Sequence, residues 1–293
     1  MTDGLVVVDK PAGWTSHDVV ARLRRVYGQK RVGHAGTLDP DATGVLLVGL
    51  GRVTRLLRFL QEQPKRYRGR VVFGVATDTL DAAGAVLERT EMPLDEGDVR
   101  AVACRFVGEI EQLPPMVSAV KIGGRKLYEA ARRGEEVERA PRRVRIDRLE
   151  IEEFVPGPFP EAVVTVECSS GTYIRALAAD LGTALGGCAH LAELRRLGSG
   201  GFTLDDTNTI EAVEADSEAA VLAPLDALRD FPRVEVDHET ATAVGHGVVF
   251  PAPALAGEPA PEGPFAVVGP AGDLLAVYEC HKGACKPSVV LAG

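Results

Sequence analysis

One stretch, Gly33 to Leu47, restricts what this chain can build more than any other. It reads Gly-His-Ala-Gly-Thr-Leu-Asp-Pro-Asp-Ala-Thr-Gly-Val-Leu-Leu, setting His34, Asp39 and Asp41 among Gly33, Gly36, Gly44 and Pro40. It runs directly into the apolar Val45-Leu46-Leu47-Val48. Glycine permits positive φ and lets another group approach the backbone closely. Pro40 keeps Asp39 out of the helical region. The stretch therefore reads as a rigid turn at the head of a buried strand, with the Asp39 carboxylate projecting from its end. An Asx turn, in which Asp39 bonds its own backbone, accounts for these residues. So does a catalytic carboxylate held on a scaffolded loop.

Around this loop the periodicities alternate between strand and helix. Leu5–Val8 reads as a buried strand closed by Asp9-Lys10-Pro11-Ala12-Gly13. Thr15 or Ser16 can cap a helix over His17–Tyr27, with Val19, Val20, Leu23 and Val26 on one face. Val45–Gly49 is a strand, and a basic helix is expected over Thr54–Gln61. Lys65-Arg66-Tyr67-Arg68-Gly69-Arg70 leads into a strand at Val71–Val75. An aromatic among four cations can stack on a base while the cations hold phosphates. Leu94–Phe106 reads as an amphipathic helix and residues 143–151 and 162–168 as strands. Gly171-Thr172-Tyr173-Ile174-Arg175 opens a helix through Leu185, and Ala189–Leu197 is expected as a further short helix.

Charge is distributed unevenly. The whole chain carries −9, yet residues 1–75 hold thirteen Lys/Arg against six Asp/Glu, and residues 118–148 hold ten against five. Residues 205–293 are acidic, four against fifteen. Two basic segments that meet in space make a footprint for phosphates even on an acidic chain. No apolar run is long enough to span a bilayer, and the N-terminus has no export pattern. Five scattered cysteines suggest a reducing cytoplasm rather than a disulfide framework. Cys280, His281 and Cys285 are too few for a tetrahedral zinc site, so no metal is expected.

The Gly33–Leu47 stretch resembles the signature of the tRNA pseudouridine-55 synthase family. Leu5–Ser16, Lys65-Arg66-Tyr67, Gly171–Arg175 and Ala189-His190-Leu191-x-x-Leu194-Arg195-Arg196 are similar to the family's other motifs, in order. The resemblance covers roughly residues 4 to 203 and implies an α+β catalytic domain around a mixed, largely antiparallel sheet. It makes residues 1–231 the catalytic domain, with an RNA-gripping insertion at about 121–148. The tail, 232–293, beyond a linker near Asp230-Phe231-Pro232, looks like a shortened PUA-type RNA-binding domain. Its Val-rich runs Ala243–Val249, Phe265–Val268 and Leu274–Tyr278 read as strands, and truncation near Phe231 is expected to leave a folded core.

The family isomerises a uridine in the T-loop of tRNA, at position 55. That reaction breaks the C–N glycosidic bond, turns the uracil and rejoins it through carbon 5. Neither redox change nor group donor enters, so no cofactor is expected. A carboxylate beside the sugar is needed as nucleophile or base, and the resemblance assigns that role to Asp39. It also implies that His34 fills space near a flipped-out nucleotide, that Tyr67 stacks on the uracil, and that Tyr173 and Leu194 line the pocket. Arg175 is expected to pair with Asp39 and hold it ionised. Lys10, Arg132 and Arg133 are expected on the RNA backbone, Lys10 alternatively as structural support. The implied partner is the T-arm of tRNA, with no membrane and no obligatory protein partner, the chain being a monomer. Two rival readings are a glycosidase using Asp39 with Asp41, and a non-catalytic RNA chaperone.

Overall fold

Nine strands form the central sheet of the protein, whose computed structural model describes residues 1–115, 121–122, 125–126 and 139–291. In chain order the first strands are β1 (Gly4–Lys10), β2 (Val32–Ala35), β3 (Thr43–Leu50), β4 (Lys65–Phe73), β5 (Val75–Thr77), β6 (Val86–Arg89) and β7 (Gly108–Gln112). Next come β8 (Lys121–Ile122), β9 (Arg125–Lys126), β10 (Arg142–Val155), β11 (Glu161–Cys168), β12 (Ala189–Ser199) and β13 (Phe202–Thr203). The path across the sheet is β1-β3-β12-β4-β11-β10-β7, with β2 beside β3 and β13 beside β12. Its pairings are antiparallel apart from β12 with β3. The fold is α+β, as expected. Arg132 and Arg133, with most of the expected insertion, lie outside the described residues.

Helix Ser16–Val26 starts on a capping box between Thr15 and Asp18 and buries Val19, Val20 and Leu23 against the sheet. Ser16 is not the cap. The expected basic helix is a 3₁₀ turn at Gly51–Arg55 followed by an α-helix at Leu57–Glu62. The helix expected over Leu94–Phe106 is shorter, Glu96–Cys104, and the one expected to open at Gly171–Arg175 spans Ile174–Ala184.

Ala189–Leu197 is a correction: these residues belong to β12, in the middle of the sheet between β3 and β4. The three-residue spacing of Leu191, Leu194 and Leu197 imitates a helical stripe. The structure explains it by register shifts between Leu191 and Glu193 and between Arg196 and Gly198. An extra residue in a strand reverses the parity of all that follows. Leu191 therefore sits opposite Val71, Leu194 opposite Gly69 and Arg196 opposite Tyr67, all on one face.

The tail builds a five-stranded sheet, β14-β16-β17-β18-β15, from β14 (Arg233–Glu235), β15 (Phe250–Pro251), β16 (Pro264–Val268), β17 (Leu274–His281) and β18 (Ala284–Val290). Two of its expected runs are strands. The third, Ala243–Val249, begins inside a helix, His238–Gly245, capped by Asp237 and followed by Gly247 at φ +73°. Cys280 and Cys285, opposite each other on β17 and β18, form a disulfide, contrary to the expectation from their number. The tail does not hang free of the first domain. Ala266, Leu274, Val277, Val289 and Leu291 share a core with Leu5, Val7, Val53, Leu56, Phe59 and Phe231. Arg52, Arg55 and Arg58 donate to the carbonyls of Leu291, Val290 and Ser288. No described helix is long and apolar enough to cross a membrane.

Candidate active site

The Asp39 loop is gripped from both sides by the segment after β1. Ser16 Oγ accepts from the Leu38 amide at 2.9 Å and donates to the Leu38 carbonyl at 3.2 Å. Gly13 N–H and Lys10 Nζ both donate to the Pro40 carbonyl, at 3.0 and 2.8 Å. Lys10 also donates to the carbonyls of Pro11 and Trp14, and its side chain is fully buried. This corrects its expected contact with RNA: all three ammonium donors are spent on backbone carbonyls, tying the segment after β1 to the Asp39 loop through Pro40, the structural alternative. Burial also pulls its pKa down to about 8, against the attraction of Asp41 and Asp39. Gly44, at φ +102°, closes the loop where it meets β12. A Cβ there would lie 2.2 Å from the Arg196 carbonyl oxygen.

Across the loop stands Arg175, on the first turn of helix Ile174–Ala184 and 5% exposed. Its Nε and Nη2 lie 3.0 and 3.2 Å from the two Asp39 oxygens, a bidentate pair. Its Nη1 donates to Asp81 Oδ2 at 3.1 Å and to the Thr79 carbonyl at 3.0 Å. The Asp39 side chain keeps 43% of its surface open, so it sits half-buried on the floor of a cleft rather than on an exposed turn. Burial pushes its pKa up and Arg175 pulls it back, with Asp81 and Asp41 adding to the upward push.

The cleft has a volume of about 600 Å³ and is lined by Asp39, Tyr67, Tyr173, Arg175, Leu194 and Arg196, among others. The structure thus brings together five of the six residues expected at the substrate. His34 is the exception and does not line the cleft. It lies on β2 with its ring edge-on to His17 at 5.3 Å, and burial lowers its pKa to about 4, leaving it neutral near pH 7. Arg58 and Arg142, one from each basic segment, also line the cleft.

Three of the four cations around Tyr67 are already engaged. Lys65 is buried, donating to the Gln61 and Gln63 carbonyls, and burial lowers its pKa to about 8. Arg68 pairs with Glu152 and Glu153, and Arg70 with Glu161 and Glu193. The period of two in β4 puts Tyr67 on one face and these arginines on the other. Their expected phosphate role is corrected accordingly.

Three residues at the site were not singled out in the sequence. Asp81 shares Arg175 with Asp39 and is fixed by Thr79 Oγ1 and the Ala83 amide. Arg196, 1% exposed, donates to the Val45 and Gly36 carbonyls. Its positive charge also eases the rise in the Tyr67 phenol pKa that burial causes. Gln112 pairs with the Tyr173 backbone. Arg196 stands inside a quoted motif and could have been found there. Asp81 and Gln112 carry no local signal.

Comparison with known proteins places these features. The family model for the TruB family pseudouridylate synthase N-terminal domain matches residues 24–174. Those for the tRNA pseudouridylate synthase B C-terminal domain and the tRNA pseudouridine synthase II C-terminal domain match residues 175–229 and 231–292. A tRNA pseudouridine synthase B of Symbiobacterium thermophilum is 52% identical over 84% of this chain and 82% of its own. Another, of Thermobifida fusca, is 45% identical over 100% of both. A Cbf5-Nop10-Gar1 complex contains a chain 28% identical, covering 94% of this chain and 78% of that one, with a TM-score of 0.74. An H/ACA ribonucleoprotein bound to a substrate RNA containing 2′-deoxyuridine has one 25% identical, with the same coverage and a TM-score of 0.72. The chain belongs to the TruB family of pseudouridylate synthases.

Proposed function

We propose that this protein converts uridine to pseudouridine in tRNA, at position 55 of the T-loop, on a base flipped out of its stack into the Asp39 cleft. The observation that carries this reading is the bidentate Arg175–Asp39 pair on the floor of a cleft walled by Tyr67 and Leu194. Enzymes that act on a base take it out of its stack, and the cleft over Asp39 offers the space to receive one. Tyr67 lies under the detached ring and holds its plane. Leu194 limits its travel, and Tyr173 closes the side.

Asp39 acts as the anionic group beside the sugar, as nucleophile or as base. Arg175 opposes the rise in pKa that burial imposes, favouring the ionised carboxylate and aiming both oxygens. The glycosidic bond breaks and a carbon–carbon bond forms, so the balance is an isomerisation in which carbon 5 gives up its proton and the freed ring nitrogen takes one up. The T-arm of tRNA is the partner this reading requires, and Arg58 and Arg142 at the cleft are its candidate phosphate contacts.

Tritium release tests it. A tRNA transcript labelled at carbon 5 of uridine should lose one equivalent of tritium per molecule with the purified protein. Mapping the product should place pseudouridine at position 55. Release from another position, or none, would overturn the reading.

A further inference from the structure

Helix Ile174–Ala184 presents Arg175 to Asp39, yet its N-cap residue, Tyr173, supplies no side-chain cap. The start of the helix is held from elsewhere. Gln112, the last residue of β7, is 1% exposed. Its Oε1 accepts from the Tyr173 amide at 3.0 Å, and its Nε2 donates to the Tyr173 carbonyl at 3.3 Å. One primary amide thus pairs with both backbone groups of one residue, as a facing residue does in an antiparallel ladder. The same carbonyl accepts from the Leu177 amide at 3.0 Å, so the pairing sits at the origin of the helical ladder. Through its main chain Gln112 faces Arg142 of β10, a cleft residue. Both polar atoms of a buried side chain are spent on the peptide two residues before Arg175.

We propose that Gln112 is a positioning residue for the Asp39–Arg175 pair, fixing the start of the helix so that the guanidinium meets both carboxylate oxygens. The inference rests on Asp39 being the reacting carboxylate. A primary amide suits this task because it donates and accepts while neutral. A carboxylate in its place accepts from the Tyr173 amide but opposes the Tyr173 carbonyl, whereas a protonated carboxyl serves both. A displacement of the order of 1 Å at a reacting group costs about 10²-fold in rate, so a loosened helix start is read in turnover.

The test uses the full chain as Gln112→Glu and Gln112→Met, with a T-arm hairpin RNA. Single-turnover conversion, hairpin affinity and thermal unfolding are measured separately. Gln112→Met should lose ~10-fold or more in turnover, with affinity within about threefold of wild type. For Gln112→Glu the turnover relative to wild type should be close to one at low pH. It should decline as pH rises through the glutamate pKa, which burial lifts above its ordinary ~4.3. Where Gln112→Met fails to fold, the pH-dependent rescue of Gln112→Glu decides alone. Equal losses of affinity and turnover, or a Gln112→Glu ratio that does not change with pH, would overturn the proposal. A wild type that converts no uridine overturns the functional reading and this inference with it. A converting wild type with unaffected variants overturns the inference alone.

Discussion

Replacing Arg175 by lysine separates charge from geometry at the site. The guanidinium makes two contacts to Asp39, one to Asp81 and one to the Thr79 carbonyl. A lysine ammonium keeps the charge but is a single point on a flexible stem, and cannot span both Asp39 oxygens while reaching Asp81. At least one charge-assisted bond to Asp39 is lost, worth ~1.5–3 kcal/mol. At ~1.4 kcal/mol per decade that is a turnover loss of about 10- to 100-fold, larger if both go. A second effect follows from electrostatics. Arg175 is the strongest influence opposing the burial-driven rise of the Asp39 pKa. Weakening it raises that pKa further. On the proposal that Asp39 works ionised, activity should be lost at higher pH on the acid side than in wild type. Single-turnover tritium release from a T-arm hairpin, followed from pH 5 to pH 9, measures both. An unchanged acid limb, or a loss wholly in RNA affinity, would refute the argument that Arg175 aims and ionises Asp39.

Asp39→Asn should bind the hairpin with near wild-type affinity and turn over at background, while Asp41→Asn, altering an exposed neighbour, should keep most activity. Conversion by Asp39→Asn in a single-turnover assay would name the wrong carboxylate. Gly44→Ala should destabilise the fold by at least ~1–3 kcal/mol, since φ is +102° and the added Cβ meets the Arg196 carbonyl; urea unfolding should show a lower midpoint at unchanged slope. Truncation after Phe231 should yield an aggregating or unfolded chain rather than an active core, checked by circular dichroism and gel filtration, because the shared cluster is left open. A soluble, cooperatively folding fragment would show that the first domain closes its own core.

The sequence was most informative where backbone chemistry and side-chain chemistry coincide. Gly36, Pro40 and Gly44 bracket Asp39, and the helix beginning after Gly171-Thr172-Tyr173 carries Arg175, so both halves of the ion pair were legible. Thr15 was one of two caps legible for the first helix, and the structure adds Asp18 as its partner in a capping box. What stayed hidden depends on neighbours distant in the chain. Lys10 looks like a free cation until the Pro11, Trp14 and Pro40 carbonyls converge on it. Arg68 and Arg70 look like phosphate ligands until β10, β11 and β12 bring four glutamates alongside. Asp81 lies in a turn without a motif. Gln112 stands 61 residues before the peptide it holds. In β12, register shifts supplied a helical spacing to a strand.

The tail shows why composition misleads at a domain boundary. Its acidity and its Pro-containing linker suggest an independent appendage, and its own sheet has a core around Phe265, Val267 and Tyr278. A twisted sheet has two faces, however, and the second is covered by the first domain. Leu274, Val277, Val289 and Leu291 bury on Leu5, Leu56 and Phe59. At ~1.5–3 kcal/mol for each large apolar side chain, exposing four of them costs an amount comparable with the ~5–15 kcal/mol that stabilises a whole domain. The arginines at 52, 55 and 58 extend the contact from this shared core to the cleft, since Arg58 bonds the Ser288 carbonyl and lines the Asp39 site. The tail is therefore a wall that completes the first domain and holds in place a cation at the cleft, whatever contact it makes with RNA.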